Sequence, residues 1–144
     1  MMIPCVWTDE LGASHFADLD LPEAMMPSAS GLPDMRSTSS MPVGSFRLVT
    51  TTPQAMARGW HPAPARQFAV VVRGAIAVEV SDGETRRLDA GSMIFFEDVG
   101  GRGHLNHIVD DQEIMLAFLI VPEHWSPLPQ VRKSSRPCGN PSAP

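Results

Sequence analysis

The stretch "QFAVVVRGAIAVEVSDGETRRLDAGSMIFFED", Gln67 to Asp98, decides how this chain folds. Its β-branched and aromatic runs are short, and turn residues cut them apart. Ser81-Asp82-Gly83 stands between Glu79-Val80 and Thr85-Arg86, a strong hairpin signal. "QFAVVVRG", "GAIAVEV", "ETRRLD" and "SMIFFED" therefore read as successive strands. "AVVV" is apolar at every position, so its strand should be covered on both faces.

The same texture continues on both sides. Downstream, a Gly-rich loop "VGGRGH" leads to "LNHIV" and then to the long apolar strand "EIMLAFLIVP". Upstream, "SFRLVTTTP" reads as a strand stopped by Pro53, and "VWTDELGASHFADLDLP" as one or two edge strands. Met25 to Gly44, rich in Ser, Pro and Met, reads as a meandering loop. The chain holds 14 prolines and 11 glycines, and no segment has convincing helical periodicity. The expectation is an all-β, single-domain chain whose domain spans residues 1–125. The Pro/Ser-rich residues 126–144 would form a disordered tail.

A chain of 144 residues fits one domain. Its net charge of -5 lacks the basic footprint of a nucleic-acid binder. Cys5 and Cys138 make neither a C-x-x-C pair nor a zinc spacing. The first ten residues lack the basic-then-apolar pattern of a signal peptide, and no apolar run has the length of a membrane helix. These readings give a cytoplasmic protein with no nucleic-acid or membrane partner. The strands apolar on both sides suggest a homodimer, with the partner covering one face.

From about Arg58 to Val121 the chain resembles the cupin family, whose fold is a jelly-roll β-barrel. The first cupin motif is G-x5-H-x-H-x3,4-E-x6-G. Aligned on Gly74, its glutamate falls on Gln67, its second histidine on Ala63 and its first on His61. The second motif is G-x5-P-x-G-x2-H-x3-N, and it starts at Gly91. Its histidine falls on Arg102, and a loop two residues longer makes His104 the natural replacement. "WHPAPARQF", "SDGETRR" and "EDVGGRGH" are also similar to a subgroup of short bacterial cupins.

The resemblance implies a divalent transition metal held by three histidines and a carboxylate. Here His61, His104 and Gln67 stand at the metal positions, with one imidazole and the carboxylate missing. The expectation is a reduced or absent metal centre in a pocket that binds a small molecule. His61 and His104 would be the catalytic acid/base pair, since histidine exchanges protons near neutral pH. Glu97 is the weaker catalytic candidate. Glu97 or Asp98 would fix a histidine tautomer. Gln67, Trp60 and Arg66 would contact ligand. Such a set suits isomerisation, cyclisation or elimination. The rival readings are a metal-dependent oxygenase or isomerase, and a non-catalytic sensing or structural module. His15, His107 and His124 read as structural or surface residues. "GGRG" is not a phosphate loop, because no Lys-Ser/Thr or helix follows it.

Overall fold

A computed structural model describes residues 1–27, 31–125 and 127. The expected tail therefore lies outside the described residues, apart from Pro127. The chain is almost entirely β, with one short helix among its strands. The strands are β1 (Met2–Thr8), β2 (Ser14–Asp20), β3 (Glu23–Met26), β4 (Met35–Thr38) and β5 (Ser45–Thr51). A one-turn helix α1 (Pro53–Met56) follows. Then come β6 (Gln67–Arg73), β7 (Ala75–Glu79), β8 (Thr85–Asp89), β9 (Met93–Phe96), β10 (Leu105–Ile108) and β11 (Ile114–Ile120). A six-stranded sheet runs β2-β1-β9-β6-β11-β5, and a three-stranded sheet runs β10-β7-β8.

Alternation on β6 shows how the sheets meet. Ala69 and Val71 point into a cluster with Val6, Ile94 and Leu116 of the large sheet. That cluster also holds Ile76, Val78 and Leu88 of the small sheet, so the main core lies between the two. Phe68 points the other way, into a second cluster with Ile3, Cys5, Leu19 and Phe95. The chain itself supplies cover on that outer face, through Leu21, Met41 and Trp125. On β5, Phe46 and Leu48 stay exposed.

The β7–β8 hairpin pairs Glu79 with Thr85, and Gly83 takes the positive φ of +90° that its turn requires. Two elements differ from the sequence expectation. The Met25–Gly44 segment is not all loop, because β3 and β4 pair antiparallel within and beside it, Met26 against Met35. β1 is not an edge strand, since it pairs antiparallel with β2 and parallel with β9. No described helix is long and apolar enough to cross a membrane.

Candidate functional site

One isolated bridge joins the segment entering β6 to the segment entering β10. His61 and His104 exchange backbone hydrogen bonds, each N–H donating to the other's carbonyl at 3.0 Å. Gly103 makes this approach feasible. Its φ is +73°, and a Cβ there would lie 2.1 Å from the His61 carbonyl oxygen. Only glycine fits, because it tolerates that φ and offers no side chain to the crossing strand. Ser14, wholly buried on β2, donates its hydroxyl to the Gly103 carbonyl at 2.5 Å and fixes the loop from behind.

The bridge sets the two imidazoles side by side, with ring centroids 4.7 Å apart. Phe96 stacks on the His104 ring at 4.4 Å. His61 Nδ1 lies 2.7 Å from the Gly59 carbonyl, which can only accept, so Nδ1 carries the proton. His104 Nδ1 lies 2.6 Å from Asp98 Oδ2 and donates to it when Asp98 is ionised. With both Nδ1 atoms engaged, each neutral ring keeps its Nε2 lone pair for a ligand or a proton. Asp98 is wholly buried, and burial pushes its carboxyl above the usual range against the opposing pull of the His104 hydrogen bond.

Both rings line a cavity of about 430 Å³, within the span of small-molecule sites. Gln67 lines it from the start of β6, with Ala69, Phe96, Asn106, Leu116 and Phe118 around it. Gln67 is 3% exposed, and its Oε1 is buried with no hydrogen-bond partner among the described residues. An acceptor so placed is costly unless a ligand or water donates to it.

His61, Gln67 and His104 are thus brought together on one cavity. Three other candidates are not. Glu97 pairs with Arg66 at 3.3 Å, and Arg66 also donates to the Trp125 carbonyl at 2.9 Å. Neither lines the cavity. The reason is strand parity. Glu97 shares a face with Phe95, which packs in the outer cluster, while Phe96 and Asp98 turn inward. Burial raises the Glu97 carboxyl, and the Arg66 charge opposes that rise. Trp60 also stands outside, covered by the Arg102 guanidinium 4.0 Å above its ring. His15 is held between Asp9 and Asp82, and His107 pairs with Glu79.

Sequence reasoning missed Asn106, Arg47 and Arg58, all of which line the cavity. Two-residue alternation from His104 would have found Asn106, and from Val49 it would have found Arg47. Arg58 had no such signal.

The cupin resemblance implies a transition metal, and the donor set does not fit one. No cluster of three His, Cys, Asp or Glu side chains is present among the described residues. Ala63, where the second motif histidine would stand, is buried in the main core. Asp98 is committed to His104 Nδ1 and lines no part of the cavity. That leaves two imidazoles and a neutral amide, short of the three or four strong donors such ions take.

No family model matches the chain, and no curated protein matches it either. Among solved structures it is similar to protein NMB1881 from Neisseria meningitidis, at 15% identity and TM-score 0.41 over 69% of this chain and 82% of that one. It is also similar to a Cupin_2 domain of an XRE family transcriptional regulator from Enterobacter cloacae. That match has 19% identity and TM-score 0.35, over 85% of this chain and 98% of that one.

Proposed function

We propose that the chain binds a small organic molecule in the His61–His104 cavity and moves a proton on it. The observation that carries this reading is the tethering of both Nδ1 atoms, which leaves two Nε2 lone pairs side by side. His104 Nε2 takes the proton, its ring held in orientation by the Nδ1 bond to the buried Asp98. The His104 imidazolium then returns that proton from Nε2 to a neighbouring ligand atom, while the bare His61 Nε2 accepts a hydrogen bond from the ligand. Isomerisation, cyclisation and elimination each need such a removal and return. Gln67 orients the ligand by accepting a hydrogen bond from its hydroxyl or amide.

A thermal-shift screen of small metabolites tests this. A ligand at a hundredfold excess over Kd raises stability by about 2.7 kcal/mol. Hits should stabilise the wild type and leave a His61→Ala, His104→Ala double variant unmoved. Hits that stabilise both proteins equally would contradict the reading.

A further inference from the structure

The charge around the cavity narrows the ligand class. The chain is acidic, with 16 Asp and Glu against 11 Lys and Arg, so most arginines should find a carboxylate. Arg36, Arg66, Arg73, Arg86 and Arg87 do, pairing with Glu23, Glu97, Glu113, Asp18 and Asp89 respectively. Arg47, Arg58 and Arg102 make no ion pair with any described residue; Arg102 covers the Trp60 ring, while Arg47 and Arg58 line the cavity. Arg47 projects from β5 with its guanidinium 5.4 Å over the Phe118 ring, which lines the cavity too. Arg58 follows α1 and donates through Nε to the Ala55 carbonyl at 3.1 Å. That bond steadies the side chain, and its two terminal nitrogens have no partner among the described residues. Among the described residues no Asp or Glu lines the cavity. Both cations are exposed, while Gln67 and His104 are buried, so charge stands at the mouth and hydrogen-bonding groups stand at the floor.

Resting on the function proposed above, we infer that the ligand is a small organic anion. Arg47 and Arg58 hold its carboxylate or phosphate at the mouth. A hydroxyl or N–H group at its other end donates to Gln67 Oε1. Guanidinium is suited to the first task because its planar fork matches both kinds of oxyanion. The arrangement places the atoms between head and hydroxyl against the two histidines.

The test uses matched pairs of acid and neutral compound on the full chain, by calorimetry at up to 50 mM. The pairs are mandelate and mandelamide, salicylate and salicylamide, and phenyl phosphate and phenol. The acid of at least one pair should bind roughly tenfold or more tighter than its neutral partner, as expected for charge-assisted bonds. The preference should shrink with added salt, since exposed charges are screened within about 10 Å at 0.1 M. It should also vanish in an Arg47→Gln, Arg58→Gln double variant, survive partly with lysine at both positions, and persist in Arg87→Gln. Binding by a carboxylate or by the phosphate ester identifies the head group. Equal affinity within every pair would overturn the anion inference, and so would no binding by any acid. A preference retained in the double glutamine variant would also overturn it. In those cases hits from the thermal-shift screen that depend on His61 and His104 would still uphold the proposed function. Anion binding that persists in the His61→Ala, His104→Ala variant would instead support the arginine site and contradict the function.

Discussion

His104 Nδ1 and Asp98 Oδ2 are bonded at 2.6 Å where His104 is 5% exposed and Asp98 is wholly buried. A polar pair so enclosed fixes both the orientation of the ring and which nitrogen carries the proton. Truncating Asp98 leaves the Nδ1–H buried without an acceptor. Asp98→Ala should cost about 1–3 kcal/mol in urea unfolding. Asp98→Asn should fold better, yet turn over any substrate found by screening about 10²–10⁴-fold more slowly. Equal rates in Asp98→Asn and wild type would remove Asp98 from the chemistry.

Two glycines with similar backbone angles should respond very differently to alanine. Gly103 has φ +73° and abuts the His61 backbone, while Gly83 has φ +90° with nothing within 4 Å of an added Cβ. Gly83→Ala carries only backbone strain, about 1–3 kcal/mol. Gly103→Ala adds a clash with a crossing backbone and should exceed it by a further 1–3 kcal/mol or so. Equal losses would mean that the His61–His104 approach is looser than described.

Gln67 illustrates a conflict between stability and binding. Its buried, unpartnered Oε1 burdens the ligand-free protein. Gln67→Leu removes that burden at similar volume and should stabilise the chain by about 1 kcal/mol. The same change should weaken the binding of screened ligands. A stability loss instead would show that the amide is satisfied in the free protein.

His15 supplies a pH-dependent tie between the two sheets. When protonated it donates from Nε2 to Asp9, in the β1–β2 turn, and from Nδ1 to Asp82, in the β7–β8 turn. Burial acts to lower its pKa, but the two carboxylates outweigh burial and hold it above the ordinary histidine value. A raised pKa means stability that is fully present below about pH 6.5 and lost as pH rises through the folded value. Asp9, pulled down mainly by its bond with His15, contributes stability that is lost only as pH falls through its own lowered value. Thermal melts of the wild type should therefore decline from about pH 6.5 upward. His15→Gln should lose that portion of the slope. Parallel pH profiles for the two proteins would contradict the tie.

Strands and hairpin were legible from sequence because alternation and turn chemistry act locally. Gln67, Ala69 and Val71 share the inner face, as period-two reading of "QFAVVV" expects. The inward direction itself was not legible at the end of β9. Alternation puts Glu97 with Phe95, but nothing local says that Phe95 packs outward and Phe96 inward. The choice between Glu97 and Asp98 was decided by the whole sheet. α1 was missed because a single turn started by Thr52 and Pro53 shows no period. Arg58 was missed because its place in the cavity follows from that turn.

Nitrogen-15 spectra of the histidine side chains test the central claim most directly. They report which ring nitrogen is protonated and which one meets a ligand. For both His61 and His104 the account predicts protonated Nδ1 and bare Nε2 in the free neutral rings. The first ligand found by screening should then displace the Nε2 resonances while Nδ1 stays bonded to Gly59 or Asp98. A proton on Nε2 in either free ring would contradict the account, as would a ligand that leaves both Nε2 resonances where they were.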